Sequence, residues 1–421
     1  MADVLEKDSP TNFTANAGLG TGPVSTEGYR SKEYFEQESE KVFRRAWLCL
    51  GRVEQLNTPG SYFVQEIEIA KVSILVTRDS SDKIRAFYNV CSHRSNKLVL
   101  SKSGSGNVFT CSYHNWAYKN DGSLIGVPDQ RNFFDLDKKK CGLTSVACEL
   151  WEGWIFINLQ REPEVSLREF LSPAMMSDLA DIPFKHTSSF IEYDSEIGAN
   201  WKVLADAFAE TYHIPALHSK SLGPTFSSKD NPHARPIHTR TWGAHRSLSG
   251  YGNPEYQIPE RAIVERLAYS ASKTGNTLSA DDLDATTDLR DHPAINPSGA
   301  GTWAVDLVWI FPHFHFHISP GGFWTHHFWP LAHDRTRWVA RFHVPEPTSI
   351  RQRFQQEQFI ARLTDILLED VGNSERMQEG LNSGVKAVMH LQDGEMLIRH
   401  SIHHLNKWIG SATVKEAISE S

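Results

Sequence analysis

The chain has 421 residues, a formal charge of -8 and 40% hydrophobic residues, with 12 Trp and 22 Phe. That size suits two or three domains, one of them large, and the composition suits a substantial core. Mild acidity, with no Lys/Arg run that marks a basic tract, argues against nucleic acid as a partner. No stretch of about 18 apolar residues is present to cross a membrane, and MADVLEKDSPTNF lacks the apolar run of a secretory signal, so the expected compartment is the cytoplasm. Five cysteines do not make a disulfide framework, and Cys49, Cys141 and Cys148 are expected as buried thiols.

Residues 1–26 are polar, with Gly, Pro and Ser, and read as a loose arm. SKEYFEQESEKVFRRAW predicts a helix from Ser31 to Trp47, with Ser31 as its N-cap. From Leu48 to about Leu159, short runs such as SYFVQEI, VSILVTRD and GWIFINL alternate with Gly, Asp and Asn turns and predict a small all-β unit. A second, larger unit begins after Gln160, with a helix around 200–214, strands around 303–345 and a long helix from Ser349 to Leu368. Residues 225–300 are polar and weakly patterned, which suits a functional lid or insertion. No internal repeat or low-complexity tract is visible.

YNVCSHRSNKLVLSKSGSGNVFTCSYHNWAYKNDG holds two mixed pairs, Cys91 with His93 and Cys111 with His114, as C-x-H, seventeen residues, then C-x-x-H. A structural zinc site takes such ligands but commonly groups like with like. A two-iron, two-sulfide cluster of Rieske type needs two thiolates on one iron and two imidazoles on the other, which two mixed loops supply. Further on, NWKVLADAFAETYHIPALH places His213 and His218 five apart, with Glu210 three before His213. Two His and a carboxylate on one face of an iron, with other positions open, make the facial triad of non-haem iron(II) oxygenases. On a straight helix His213 and His218 would diverge by about 140°. Pro215 between them is expected to disrupt the helix and let His218 fold back, while Glu210 and His213 share a face.

CSHRSNKLV and CSYHNWAYKNDGSL resemble the cluster loops of Rieske non-haem iron oxygenases, and NWK followed by E-x-x-H-x4-H resembles the catalytic signature of the same family. The usual C-x-H-R-G or C-x-H-R-A and C-P-Y-H-G-W are altered here at Ser95, Ser112 and Asn115, none of them a ligand; Asn suits the left-handed turn that Gly would make. EYFEQESEKVFRRAWLCLGRVEQL is similar to the family's N-terminal stretch, so the resemblance runs over nearly the whole chain.

The resemblance implies an α+β protein: an arm and helix (1–47) packing on the catalytic domain, a β Rieske domain (48–160), and a larger catalytic domain (161–421) whose antiparallel sheet grips a long helix. It implies that Cys91, His93, Cys111 and His114 hold a [2Fe-2S] cluster. It implies a mononuclear Fe(II) on His213, His218 and a carboxylate from FIARLTDILLEDVGNSERMQEGL, which offers Asp365, Glu369, Asp370 and Glu375. The family's E-D pair selects Asp370, with Glu369 the rival. Glu210 takes the place of the carboxylate that bridges cluster and iron between neighbouring chains.

The implied partners are an NAD(P)H-dependent reductase and possibly a ferredoxin, O2 and a small-molecule substrate, in a head-to-tail homotrimer that allows a small β subunit, with neither nucleic acid nor membrane. The implied reaction is hydroxylation or dihydroxylation of an aromatic or alicyclic compound. The alternative is oxidative N- or O-demethylation or monooxygenation of a quaternary amine or methoxy compound. Asp206 and Phe208 are expected to face the iron cavity. His313, His315 and His317 of PHFHFHISP alternate on one face of a strand expected to be half-buried, more as structure than as ligands, though one of them can line the pocket. GFWTHHFWPL is expected as core and pocket wall. The basic residues of HARPIHTRTWGAHR are expected on a solvated loop, with an acidic substrate as their other reading.

Overall fold

A computed structural model of the chain describes residues 12–182, 184, 189–269, 292–319, 322–344 and 346–419. Residues 38–170 with 413–415 form one unit, and the other described residues form a second. Ser31 caps helix α1 (Lys32–Glu38), accepting from Tyr34 N at 3.1 Å. The helix stops well short of Trp47: a wide helical turn at Ser39–Phe43 follows, and Trp47 already begins a strand. Val42, Phe43 and Trp47 are all buried, so the apolar spacing reflects burial on both sides of this break rather than one helical face.

The smaller unit is all-β. Its strands are β1 (Trp47–Arg52), β2 (Ser61–Ile67), β3 (Val72–Arg78), β4 (Ile84–Tyr88), β5 (Ser103–Ser105), β6 (Val108–Thr110), β7 (Ala117–Lys119), β8 (Leu124–Gly126), β9 (Ser145–Trp151) and β10 (Trp154–Asn158). Seven form an antiparallel sheet in the order β1-β10-β9-β4-β3-β2-β5, and β6-β7-β8 form a second sheet. Strict alternation of buried residues along SYFVQEI matches the two-residue period of a strand covered on one face. A core of Leu75, Phe87, Phe109, Trp116 and Tyr118 packs around Cys91 and Cys111.

The larger unit is built on one seven-stranded antiparallel sheet, β11-β17-β16-β15-β14-β13-β12. The strands are β11 (Ser189–Ile197), β12 (His238–Trp242), β13 (His245–Tyr251), β14 (Trp303–Ile310), β15 (Phe314–Ser319), β16 (Gly322–Ala332) and β17 (Arg335–Val344). The β12–β13 hairpin lies within the stretch expected as an insertion; residues 270–291 of that stretch fall outside the described residues. The whole of β15 is buried on both faces, not one. Five helices position the site: α2 (Trp201–Asp206), α3 (Ile214–Leu217), α4 (Ile263–Tyr269), α5 (Ile350–Asn382) and α6 (Met396–Gly410).

Helix α5 runs 33 residues, past the expected end at Leu368 and through Gly372. Ser349 caps it, accepting from Gln352 N at 3.1 Å. Its continuation is held by tertiary contacts: Gly198 N donates to Glu375 at 3.0 Å and Asn200 N to Gln378 at 2.8 Å. Among the expected buried thiols, Cys49 is buried while Cys141 and Cys148 are half-buried, and no cysteine is paired.

Gly122 closes the turn after Asp121 at φ 87°, and a Cβ there would lie 2.4 Å from the ring of Phe87. Gly122→Ala is expected to destabilise the smaller unit by roughly 2–4 kcal/mol, from backbone strain and overpacking together. A denaturant titration of its tryptophan fluorescence would show the shifted midpoint.

Candidate metal centres

The two Cys-His loops share one backbone design. In the first, Ser95 N donates to Cys91 O at 3.0 Å and Cys91 N to Asn96 O at 2.8 Å. In the second, Asn115 N donates to Cys111 O at 2.9 Å and Cys111 N to Trp116 O at 2.8 Å. Each turn reverses through a left-handed residue four places after its cysteine, Ser95 at φ 58° and Asn115 at φ 56°. The His93 and His114 rings stand 4.5 Å apart. Both Nδ1 atoms are buried without a hydrogen-bond partner among the described residues.

Cys91 Sγ lies 3.2 Å from Tyr118 Oη, and Asn96 Nδ2 donates to Cys111 Sγ at 3.6 Å. Burial opposes the Cys111 thiolate, but backbone N–H groups of Tyr113 and His114, with the neighbouring Cys91 and Asn96, hold its pKa below the ordinary thiol value. Two cysteines, two imidazoles with free Nδ1 atoms and donors aimed at sulfur are a donor set that fits a Rieske cluster.

The second constellation gathers two separated stretches of the larger unit, 210–221 and 369–370. Ligand atoms of His213, His218 and Asp370 lie within 4.8 Å of one another. Asp370 Oδ1 is 3.0 Å from His218 Nε2 and 3.5 Å from His213 Nε2. Glu210 accepts from His213 Nδ1, and Glu369 meets His218 Nδ1 at 2.6 Å while accepting from Ser221 Oγ at 2.6 Å. Each imidazole thus has its outer nitrogen on a carboxylate and its inner one toward Asp370. That is the arrangement of metal-binding histidines, and two His with one carboxylate fit a mononuclear iron. Burial pushes both histidine pKa values down, but their carboxylate partners outweigh it and hold them above the ordinary imidazole value.

The local chain path differs from the expected broken helix. Helix α2 ends at Asp206, Glu210 lies in the following turn, and its carboxylate accepts from the backbone N of Tyr212 and His213. Pro215 does not interrupt a helix; it sits in the first turn of α3, where its missing N–H costs nothing. Of the four acids considered on α5, Asp370 faces the histidines and Glu369 braces His218. Glu375 binds Gly198 N and Asp365 is exposed. The brace roles of Glu369 and Ser221 were missed from sequence, although the E-D adjacency carried the signal.

A cavity of about 400 Å³ opens beside this group, within the usual range for small-molecule sites. Phe208 and His317 line it; Asp206 does not. Instead Asp206 accepts from Tyr29 Oη at 2.6 Å, and burial pushes its pKa up to about 7. His315, His317 and His327 are buried and held well below the ordinary imidazole value by that burial, and His326 is pushed down to about 3. They are neutral members of the sheet. The HARPIHTRTWGAHR segment forms the β12–β13 hairpin rather than a solvated loop. Arg240 pairs with Asp178 at 3.2 Å and buried Arg246 donates to Leu397 O, and neither lines the cavity.

The family model "Ring hydroxylating alpha subunit (catalytic domain)" matches residues 184–411, and "Rieske [2Fe-2S] domain" matches residues 46–147. The carnitine monooxygenase oxygenase subunit of Escherichia coli K12 is 32% identical over 211 residues, 50% of this chain and 55% of that protein. The chain therefore spans about half the length of that relative. Choline monooxygenase of Spinacia oleracea is 25% identical over 394 residues, 90% of this chain and 76% of that protein.

Among solved structures, the quaternary ammonium Rieske monooxygenase CntA with L-carnitine superposes with a TM-score of 0.68 at 22% identity, over 94% of this chain and 99% of that one. Naphthalene 1,2-dioxygenase from Rhodococcus sp. gives 0.70 at 18%, over 93% and 95%. These likenesses extend the α+β fold to both units. No helix among the described residues is long and apolar enough to cross a membrane. With the Rieske match spanning the first constellation and the catalytic match spanning the second, the chain belongs to the ring-hydroxylating α-subunit family of Rieske oxygenases.

Proposed function

We propose that the chain is the terminal oxygenase component of a system that hydroxylates or dihydroxylates a small aromatic or alicyclic molecule. It would draw electrons from NAD(P)H through a reductase, directly or by way of a ferredoxin. The observation that carries this reading is the meeting of His213, His218 and Asp370 at the wall of a cavity lined largely by apolar side chains.

Cys91, His93, Cys111 and His114 would hold the [2Fe-2S] cluster, and His213, His218 and Asp370 the iron(II). When bound, the cluster supplies electrons one at a time and the mononuclear iron activates O2 beside the substrate. The chain's own residues set the conditions. Glu210 fixes the His213 ring and is the group we place on the electron's route from a neighbouring copy. Glu369 fixes His218 in the same way. The apolar lining of Phe208, Leu363 and Ile366 keeps water from the reacting carbon. We assign the working assembly to a head-to-tail homotrimer, whose ring closes a heterologous interface, with room for a small β subunit, and the working compartment to the cytoplasm.

A second reading is favoured by the relatives whose names specify carnitine and choline. In that reading the reaction is monooxygenation or oxidative N- or O-demethylation of a quaternary amine or methoxy compound. Phe208, Trp324 and Phe359 line the cavity, and aromatic rings suit such a cation.

Metal analysis separates an oxygenase from a bare electron carrier. About three irons with two labile sulfides per chain are expected, falling to about two irons in His213→Ala. Two irons in both proteins would exclude the second centre. Glu210→Gln should keep both metals yet lose about 10–100-fold in turnover, and full activity in that variant would refute its assigned role. Tyr118→Phe removes a hydrogen bond that favours the more negative, reduced cluster. Its potential should fall by about 40 mV, the equivalent of about one such bond, in a spectroscopic redox titration.

A further inference from the structure

One face of α5 lines the cavity through Phe359, Arg362, Leu363, Ile366, Leu367 and Asp370. Their spacing of three and four keeps them on a single stripe. Asp370 and Arg362 are eight residues apart, so about 12 Å of helix separates them, and the side chains between them on this stripe are apolar. Acidic lining residues, Glu210 and Asp370, belong to the metal end. Arg362 is the one Lys or Arg among the described lining residues, and it stands at the other end.

That far end is rich in unused donors. Arg362 gives Nη1 to Glu265 of α4 at 2.9 Å, and no other hydrogen bond of its guanidinium is present among the described residues. Glu265 itself does not line the cavity. Trp324 packs edge-on against Phe359, with ring centroids 6.1 Å apart, and pairs across the strands with His317. Both Trp324 and His317 line the cavity and are more than nine-tenths buried. Trp324 Nε1 and His317 Nε2 lack a hydrogen-bond partner among the described residues. The Arg362 guanidinium and the Trp324 indole N–H, which the Phe359 ring ties to this end, suit an acceptor bearing negative charge, with the neutral His317 imidazole next along the wall toward Phe208.

We infer that the substrate of this cavity carries a carboxylate at the end away from the metal residues, and that Arg362 is the residue that selects it. The inference rests on the oxygenase reading for the identity of the metal end. The apolar body then lies along Leu363, Ile366 and Leu367, and the acid group fixes how far it reaches toward Asp370. Glu265 holds the guanidinium in place from outside the cavity wall.

The test is equilibrium binding to the metal-loaded protein under argon, by titration calorimetry, so that it is scored without turnover; iron content and turnover separately decide the oxygenase reading. The probes are 4-phenylbutyrate, its amide and trimethyl(3-phenylpropyl)ammonium. The acid is expected to bind about tenfold or more tighter than the amide. Arg362→Gln should abolish that preference while leaving the amide within about twofold.

The exchange variant Arg362→Glu with Glu265→Arg keeps an ion pair between α4 and α5, and so preserves any purely structural role. It should lose the acid and gain the ammonium probe. Equal binding of acid and amide by the native protein would overturn the inference. So would an equal loss of both in Arg362→Gln, an acid preference that survives the exchange, or an ammonium probe bound tighter than the acid by the native protein.

Discussion

Asp370 Oδ1 is the point on which the larger unit converges, because both imidazoles turn Nε2 toward it. An imidazole can be aimed in that way only if its other nitrogen is held, since a free ring rotates. Glu210 and Glu369 supply that hold, one from a turn and one from a helix. Their position depends in turn on α5 being fixed in register. Ser349 caps the start of α5, Gln355 donates to Ala268 O at 2.8 Å, and Glu375 and Gln378 receive the backbone N–H groups of Gly198 and Asn200. Asn200 also caps α2, its side chain accepting from Lys202 N at 3.0 Å, so the helix that leads to Glu210 and His213 starts from an anchor on α5. Each such bond is worth only about 1 kcal/mol; their value lies in fixing where Asp370 sits.

The surrounding sheet solves a different problem. It buries His315, His317 and His326 on one face and His327 on the other, which would be untenable if they were charged. Burial keeps them neutral, and one of the nitrogens is satisfied where Trp338 Nε1 donates to His326 Nδ1 at 3.0 Å. His317, the one of the four that lines the cavity, is therefore polarisable but uncharged there. Among the described lining residues, the carboxylates stand with His213 and His218 at one end, and Arg362 is the one Lys or Arg.

Sequence and structure agree most closely where chemistry demands particular residues at short range. The Cys-His loops were legible because spacing and residue type are local, and Asn115 signalled its left-handed turn. The equivalent turn at Ser95 was not anticipated, since Ser has no comparable preference for that region. The helix expected over 200–214 ends early because the Glu210 carboxylate caps the following turn, a side-chain contact that periodicity does not encode. Gly372 concealed the length of α5, which tertiary anchors sustain. The β12–β13 hairpin escaped notice because β12, HTRTW, is polar and lies at the edge of the sheet, paired with β13. Arg362 carried no sequence signal at all: its meaning comes from which residues share its stripe.

Consecutive helical residues point about 100° apart, so Glu369 and Asp370 reach opposite nitrogens of the single His218 ring. The ring is gripped like a key between two fingers of one hand. Rotation of α5 about its axis would carry both carboxylates in the same sense against that one ring. Sliding of the helix would translate all three. The metal end is thus geared to a rod whose cavity-facing side also presents Phe359 and Arg362. A push delivered at Arg362, about 12 Å along the axis, would act on the same rigid helix that carries Glu369 and Asp370.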